Sequence, residues 1–373
     1  MKIAIDLRGL HSGRISGVEN YIVNILERLL QMDHRNEYVL FENAWRIKDY
    51  QHLKFINSRI VQRRLPNKLF NLSLLLARRP LFENYFGGFD ALFLPNVNFF
   101  SISDKTKLVV AVHDLSPLVE PQFYDFRRRL WHSLVNFRKT LRRADRVIAV
   151  SEYTKSDLVR VLGLPPEKIS VVYSGIDHAL FRPDLPESKL RAVRNLYGLP
   201  GEYVLFLNTL EPRKNLVNFI KAYEKVETKA ALVIGGKKGW KYGPIFAAMN
   251  ASPKRRQIKY LGYVPEDHKP YLLRLARVAG SPSFYEGFGF PALEALSVGV
   301  PVLTSQATSL PEAVDDAAVM VDPHNIDDIA RGLSLLLTDE ELRRRLVDKG
   351  LKQAQKFSWE NSAAQVLNIF NAL

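Results

Sequence analysis

The sequence predicts an α/β protein built from two domains, each with a parallel β-sheet. Its 373 residues are too many for one ordinary core and suit two domains of about 150 to 200 residues. Short apolar runs such as KIAID, KLVVAVHD and RVIAVS in the first half, and YVLFLNT, AALVIGG, VAGSPS and VPVLTS in the second, alternate with helical patterns. Continuous apolar strands separated by helices are typical of parallel sheets covered on both faces.

A stretch rich in turn-forming residues separates the two sets of strands. The segment GIDHALFRPDLPES lies between the strand pattern ISVVY and the strand pattern YVLFLNT. Proline and glycine in such a segment favour a connection between domains. We therefore predict an N-terminal domain at 1–180, a second domain at 181–356 and a C-terminal helical segment at 357–373.

The composition excludes several classes of protein. With 47% hydrophobic and 25% charged residues, the chain is typical of globular rather than disordered proteins. It has no cysteine, which excludes disulfides, a thiolate nucleophile and cysteine-ligated metals. The start MKIAID has the pattern of a strand rather than of a signal peptide, and no apolar run approaches the ~18 residues of a membrane span. We expect a cytoplasmic location.

The net charge of +14 favours anionic partners. Residues 55–82 contain six Lys or Arg and no acid, and residues 126–144 contain seven Lys or Arg. The second stretch also has an apolar stripe made of Leu130, Leu134, Phe137 and Leu141. Either stretch could contact an anionic membrane surface. For the second stretch, the favoured interpretation is instead a helix that packs on the core and exposes an Arg-rich face to solvent. Without a zinc-ligand set, a recognition-helix motif or an RNP-like strand, we predict no binding of nucleic acid.

Glycines follow the first predicted strand. GRISGVENYIVNILERLL places Gly13 and Gly17 before apolar positions at helical spacing. The amides at such a helix start can receive a phosphate or a substrate hydroxyl. An ordinary turn before a buried helix fits the same pattern, so Gly17 is a candidate for donor binding and no more.

Two further loops that follow strands contain candidate catalytic residues, because ligands of open parallel sheets bind outside the carboxyl ends of the strands. VAVHDLSP places His113 there, where its imidazole can hydrogen-bond a sugar hydroxyl, although a lone His is more often structural. LFLNTLEPRKN places Arg213 and Lys214 after a strand, where two cations suit a diphosphate and where a solvated turn is the alternative. The glycines of ALVIGGKKGW lack the spacing of a phosphate-binding P-loop.

The segment SFYEGFGFPALEAL combines two carboxylates with a glycine turn. Gly287, Phe288 and Gly289 form the turn, and Pro291 stands at an early, proline-tolerant position of the next helix. We assign the turn to donor binding because the glycines let the backbone approach a phosphate. Glu286 and Glu294 would then accept hydrogen bonds from a sugar and a ribose on either side of a diphosphate. Paired glycosidase carboxylates are the competing interpretation, for which a helical Glu294 is poorly placed.

These residues resemble the retaining GT-B glycosyltransferases of family four. EGFGFPALE matches the E-x7-E motif of that family, and GVPVLTSQATSLPEAVDDAAVMVDP, ADRVIAVSEYTKSDLV and FSWENSAAQVLNIF are similar to other family segments. The resemblance implies two facing Rossmann-like domains with the active site in the cleft between them. It implies acceptor binding by 1–180, donor binding by 181–356 and a helix at 357–373 that crosses back to the first domain.

The resemblance also implies roles for single residues. Glu286 would contact the donor sugar, Glu294 the ribose, Lys214 the phosphates, and His113 would lie near the transferred sugar. Transfer would proceed with retention, with no metal and no other cofactor. The chain departs from the family in two places. Thr209 occupies the position five residues before Lys214 where many members have Arg, so the phosphate-binding role of Arg213 is inferred from its position next to Lys214. Ser16-Gly17 replaces a pair of glycines.

The resemblance and the residues together predict a metal-independent hexosyltransferase. It would move a mannose-type or glucose-type hexose from a GDP- or UDP-linked donor to a sugar or lipid-linked hydroxyl, in the assembly of a surface polysaccharide or glycolipid. Peripheral contact with the inner face of an anionic membrane is expected with that role. The alternatives are a nucleotide-sugar epimerase of the same fold and a non-catalytic protein that binds nucleotide or anions.

Overall fold

The computed structural model describes residues 1–10, 17–45 and 50–373. Its strands and helices alternate along the chain, as the apolar runs predict. The strands are β1 Lys2–Asp6, β2 Glu37–Asn43, β3 Ser58–Arg63, β4 Ala91–Leu94, β5 Lys107–Val112, β6 Arg146–Ala149, β7 Ile169–Val171, β8 Tyr203–Leu207, β9 Ala231–Gly235, β10 Ile258–Gly262, β11 Val278–Ser281, β12 Val302–Ser305 and β13 Val319–Val321.

The helices between these strands vary in length from four to sixteen residues. They are α1 Gly17–Met32, α2 Asn67–Leu76, α3 Phe82–Phe86, α4 Ser116–Val119, α5 Phe126–Val135, α6 Phe137–Arg143, α7 Glu152–Leu162, α8 Glu187–Tyr197, α9 Leu216–Lys225, α10 Gly243–Ala251, α11 Lys269–Arg274, α12 Phe290–Ser297, α13 Leu310–Val314, α14 Ile326–Thr338, α15 Glu340–Ala354 and α16 Trp359–Asn371.

The chain divides into two compact units, and each contains one parallel sheet. Unit 1 comprises 1–115, 126–175 and 359–373, and its strands are ordered β3-β2-β1-β4-β5-β6-β7. Unit 2 comprises 116–125 and 176–358, and its strands are ordered β10-β9-β8-β11-β12-β13. All strand pairs are parallel, which confirms the predicted fold class.

Each sheet changes the direction of its strand order once near its middle. The change lies between β1 and β4 in unit 1 and between β8 and β11 in unit 2. At such a point the two loops leave their strands toward opposite faces of the sheet and open a crevice at the carboxyl edge. The loops after β8 and β11 are therefore the expected location of a ligand in unit 2.

Apolar burial holds the helices onto the sheets. In unit 2, Phe206 of β8, Phe219 of α9 and Leu333 of α14 belong to one buried core. In unit 1, the terminal helix α16 packs on α1, where Arg28 forms an ion pair of 2.7 Å with Glu360. The final 15 residues thus belong to the first sheet's unit although they follow the whole of the second.

The two basic stretches are not continuous helices. Residues 55–82 contain the edge strand β3 and then α2. Residues 126–144 are divided between α5 and α6 at Asn136, which has the left-handed φ of 53°. The break divides the predicted stripe: Phe137 and Leu141 after it are buried, whereas Leu130 and Leu134 before it are exposed. The predicted core-packed stripe is therefore wrong for its first half.

Candidate active site of unit 2

The two cations predicted after the first strand of unit 2 lie beside the first glutamate of the glycine turn. Lys214 Nζ lies 2.6 Å from Glu286 Oε1 and 2.8 Å from Glu286 Oε2. Arg213 Nη1 lies 3.1 Å from Glu286 Oε2. Lys214 and Arg213 follow β8 and Glu286 follows β11, and these strands are neighbours at the crevice. The arrangement therefore places two cations and one carboxylate where a ligand of this fold binds.

The carboxylate of Glu286 is buried and charged. Burial would raise its pKa, but the charges of Lys214 and Arg213, with hydrogen bonds from Lys214 and Ser283, lower the pKa to about 2. Ser283 Oγ donates to Glu286 Oε1 at 2.7 Å. At neutral pH the group only accepts hydrogen bonds. It is suited to receive donors such as sugar hydroxyls.

Glu211, Tyr285 and Glu286 are among the groups that hold Arg213, and the sequence analysis named only Glu286. Its guanidinium donates to Glu211 Oε1 at 2.9 Å and to the carbonyl oxygen of Tyr285 at 2.6 Å, in addition to its contact with Glu286. Burial raises the pKa of Glu211, an effect that the neighbouring Arg213 and Lys214 oppose. The acid in EPRK was a usable signal, since Glu211 precedes Arg213 by only two residues. Glu211 fixes the direction of the guanidinium.

Loop-to-loop hydrogen bonds fix the backbone on both sides of this cluster. Asn215, in the left-handed conformation after Lys214, donates from Nδ2 to the carbonyl oxygens of Pro282 at 2.8 Å and Pro323 at 2.7 Å. The N–H of Glu286 donates to Thr308 Oγ1 at 3.0 Å. These contacts connect the loops after β8, β11, β12 and β13. No pattern in the sequence indicated them, because the partners lie 22 to 108 residues apart.

The predicted donor turn has one conformation that demands glycine. Gly289 has a φ of 109°, and a Cβ there would lie 2.8 Å from Leu310 Cδ2. Phe288 is buried, with its ring 5.2 Å from that of Phe290 and 5.6 Å from that of Phe357. Gly287 is buried in the same turn. The turn starts α12 one residue after Gly289.

Glu294 lies on α12 as predicted, buried beside a lysine that sequence analysis missed. Lys269 Nζ, at the start of α11, is 3.8 Å from Glu294 Oε1 and 2.7 Å from Glu266 Oε2. Burial raises the pKa of Glu294, the charge of Lys269 opposes that rise, and Glu266 adds to it. Burial would lower the pKa of Lys269, but Glu294 and Glu266 outweigh it and raise the pKa. Lys269, with a smaller contribution from Lys214, therefore favours the ionised form of Glu294.

In unit 1 the structure places His113 directly after β5. Its Nε2 is hydrogen-bonded to the carbonyl oxygen of Pro95 at 2.8 Å, and its ring lies edge-on to that of Tyr21, with centroids 4.8 Å apart. Burial lowers its pKa, against the opposing effects of that hydrogen bond and of Asp114. The lowered pKa favours the neutral imidazole at physiological pH.

Gly17 is exposed and begins α1, whereas Gly13 and Ser16 of the predicted glycine loop lie outside the described residues. Across the described ranges, no group of three or more His, Asp or Glu side chains is arranged to hold a metal ion. No helix within those ranges is long and apolar enough to cross a membrane.

Two family models match the chain. The model described as "Glycosyl transferases group 1" matches residues 195–353, and the model described as "Glycosyltransferase Family 4" matches residues 15–180. The first match contains both glutamates of the glycine turn and helix, and the second contains His113.

Curated relatives match both halves of the chain. The "O-antigen chain mannosyltransferase B" of Escherichia coli is 33% identical over 280 residues, covering 74% of this chain and 73% of the relative. The "Serotype-specific mannosyltransferase WbdA" of Escherichia coli is 30% identical over 281 residues, covering 72% of this chain but 34% of the relative.

Solved structures share the complete fold. A sucrose-phosphate synthase from Thermosynechococcus elongatus has a TM-score of 0.78 at 18% identity, with 100% of this chain and 98% of that chain covered. Anabaena HepE, solved in complex with UDP and glucose, has a TM-score of 0.76 at 19% identity, with both chains fully covered.

Proposed function

The chain belongs to the group 1 and family 4 glycosyltransferases, and on that premise we propose that it transfers a mannose-type or glucose-type hexose from a nucleotide diphosphate sugar to a hydroxyl acceptor. The observation that carries the proposal is the cluster of Lys214, Arg213 and Glu286 at the crevice of the unit 2 sheet. Two cations suit a diphosphate, and an ionised carboxylate suits the hydroxyls of the attached sugar.

The cations would act on the leaving group. Negative charge develops on the diphosphate as its bond to the sugar C1 breaks, and preorganised cations stabilise that charge without reorganising. Lys214 and Arg213 are held in place by Glu286 and Glu211, so their positions are fixed before the donor arrives. Glu286, already ionised, would orient the sugar.

Glu294 would accept hydrogen bonds from the ribose, and only its ionised form accepts with both oxygens. Lys269 favours that form through its positive charge. The support for this role is the burial of Glu294 on α12 and the matched spacing of eight residues from Glu286.

We propose transfer with retention, on the resemblance of EGFGFPALE to the motif of retaining enzymes. The bond from C1 to the phosphate oxygen breaks while the acceptor oxygen bonds to C1 on the same face. The acceptor proton passes to the departing phosphate oxygen, so the chain needs no resident metal or cofactor. His113, neutral and fixed by Pro95, would hydrogen-bond the transferred sugar.

The names of relatives order the candidate donors. Two relatives are mannosyltransferases, one of them of an O-antigen chain, which supports a mannose donor and a role in surface-polysaccharide assembly. HepE was solved with UDP and glucose, which supports a UDP-linked hexose as the next candidate. We propose GDP-mannose first, with a sugar or lipid-linked hydroxyl as acceptor.

A thermal-shift panel with UDP, GDP, ADP and CMP tests the donor site. We expect stabilisation by one nucleotide in the wild type, its loss in Glu294→Ala and its retention in Glu227→Ala, a control at an exposed position of the same unit. Stabilisation by none of the four would contradict the donor site. Conversion of a nucleotide sugar without any acceptor would indicate epimerisation in place of transfer.

A further inference from the structure

Glu286 is held through its backbone by two consecutive hydroxyl side chains from a different loop. Its N–H donates to Thr308 Oγ1 at 3.0 Å, and its carbonyl oxygen accepts from Ser309 Oγ at 3.0 Å. Thr308 and Ser309, here called the hydroxyl pair, lie between β12 and α13. Both polar backbone groups of Glu286 therefore have side-chain partners in the loop that follows the neighbouring strand of the sheet.

Two serines extend these contacts to the carboxylate. Ser283 Oγ donates to Glu286 Oε1 at 2.7 Å, and Ser305 Oγ at the end of β12 donates to the carbonyl oxygen of Ser283 at 2.7 Å. Ser283, Ser305 and Ser309 are completely buried. Buried polar groups are costly unless they are paired, so a network in which each hydroxyl has a partner favours one arrangement of these loops over all others.

Thr308 has a backbone conformation that its own side chain disfavours. Its φ of 59° lies in the left-handed region, which β-branched residues rarely adopt. Residues in such a conformation persist where surrounding contacts impose it, and they concentrate at functional sites. Glycine would adopt this φ without strain but would offer no hydroxyl to the N–H of Glu286. The hydroxyl is therefore the property that threonine supplies at this position.

Contacts on either side of Thr308 hold its loop in place. The N–H of Gln306 donates to the carbonyl oxygen of Val321 on β13 at 2.9 Å. Leu310, the first residue of α13, is buried against the glycine turn, where its Cδ2 lies 2.8 Å from the position that a Cβ on Gly289 would occupy. The hydroxyl pair is thus fixed from both ends of its loop.

From this geometry we propose that Thr308 and Ser309 are positioning residues for Glu286 in the transfer reaction. Fixing the peptide groups on both sides of Glu286 fixes the direction of its Cα–Cβ bond, and with it the point at which the carboxylate meets a sugar hydroxyl. Lys214 does not set that point by itself, because its flexible stem follows the carboxylate. The inference rests on the proposed function, in which Glu286 orients the donor sugar.

Thr308→Val tests this role, because valine keeps the size and β-branch of threonine and removes the oxygen that accepts from Glu286. We expect kcat to fall about 10²-fold, the effect of a displacement of about 1 Å, while the affinity for the free nucleotide changes by less than about twofold. The ratio of nucleotide-sugar affinity to free-nucleotide affinity should fall about tenfold, the contribution of a hydrogen bond to a charged group. The probes are GDP with GDP-mannose and UDP with UDP-glucose, measured by calorimetry.

The conservative variant Thr308→Ser keeps the hydroxyl and should restore both quantities to those of the wild type. Thr304→Val is the matched control, since it also removes a buried hydroxyl, one that donates to the carbonyl oxygen of Ser281 at 3.1 Å. It should leave kcat unchanged. Wild-type kcat in Thr308→Val, no rescue by Thr308→Ser, or an equal loss of kcat in Thr304→Val would overturn the proposal.

A second comparison asks whether Thr308 acts through Glu286. In the Glu286→Gln background, Thr308→Val should lower kcat by less than about twofold further, because its effect passes through the carboxylate. A full loss in that background would show a general structural effect instead. If the valine variant does not fold, Thr308→Gly replaces it, because glycine relieves the strained φ and also lacks the hydroxyl. A glycine variant with wild-type kcat would likewise contradict the role of the hydroxyl.

A readout without nucleotide or sugar separates this inference from the proposed function. The non-additivity of Lys214→Met and Glu286→Gln in urea unfolding should be smaller in the Thr308→Val background than in the wild type, because a displaced carboxylate pairs less well with Lys214. Undiminished non-additivity would contradict only the positioning by Thr308. Absence of nucleotide binding and of sugar transfer in the wild type would contradict the proposed function.

Discussion

The buried pair of Lys214 and Glu286 makes a quantitative prediction about stability. The perturbation is a double-mutant cycle with Lys214→Met, Glu286→Gln and the double variant. Each single change leaves a buried charge without its main partner, whereas the double change removes both charges. The free energies of unfolding should therefore be far from additive.

The magnitude follows from the pKa of Glu286, which lies at about 2 instead of 4.5. Since one pKa unit corresponds to about 1.4 kcal/mol, the folded protein favours the ionised carboxylate by ~3 kcal/mol. Lys214 is the largest favourable contribution and Arg213 the next. We expect Lys214→Met to cost ~2 kcal/mol, Glu286→Gln ~3 kcal/mol and the double variant ~3 kcal/mol, which is a coupling of ~2 kcal/mol.

Urea unfolding of the four proteins at about pH 7.5 measures the coupling. The pKa of Glu286 is lowered in the folded state, so its stabilisation is complete above about pH 4.5 and is lost as the pH falls toward about 2. The difference between wild type and Glu286→Gln should accordingly shrink below pH 4.5. Additivity of the two changes within ~0.5 kcal/mol would refute the reasoning. Both single variants should also lower turnover by about 10²- to 10³-fold.

The remaining predictions concern the proposed ribose site at Glu294, the glycine turn and the first unit. Burial raises the pKa of Glu294, so nucleotide affinity measured by calorimetry should rise with pH as this carboxylate ionises, and Lys269→Met should move that rise to higher pH. Gly289→Ala forces a side chain onto a φ of 109° and should cost ~2 kcal/mol in thermal or urea unfolding. His113→Gln removes the imidazole proposed to hydrogen-bond the transferred sugar, so it should lower turnover by about 10²- to 10³-fold in a transfer assay while nucleotide affinity stays unchanged.

Each of these predictions has a control in the chain. In Glu294→Gln the carboxylate no longer titrates, whereas the phosphates of the nucleotide still do. If the nucleotide affinity of this variant depended on pH as that of the wild type does, the role of Glu294 would be contradicted. Gly201→Ala has open space around its Cβ and should change stability by less than ~0.5 kcal/mol; an equal effect at Gly289 would show that the turn tolerates a side chain. Loss of nucleotide binding in His113→Gln would place that residue in the donor site.

Local patterns in the sequence were sufficient to predict the fold class and to select the individual candidate residues of the site. The apolar runs predicted β1, β5, β8 and β11 because the two faces of a parallel sheet are both buried and leave no polar positions within a strand. The carboxyl ends of those strands then selected Lys214 and Glu286, which are 72 residues apart. The amphipathic pattern at 126–144 was misleading in its first half, since periodicity identifies an apolar stripe but not the partner that covers it.

Only the tertiary structure decided which candidate residues contact each other and which side chains neutralise their charges. The sequence order does not reveal that β8 and β11 are adjacent, so the pairing of Lys214 with Glu286 could not be foreseen from either loop. Lys269 reaches Glu294 from α11, at no recognisable spacing. The sequence by itself thus determined the two α/β units and the chemical types at the strand ends, because burial and turn formation are local properties. Ion pairing and pKa depend on distances of a few ångströms between remote segments, which only the packed sheet sets.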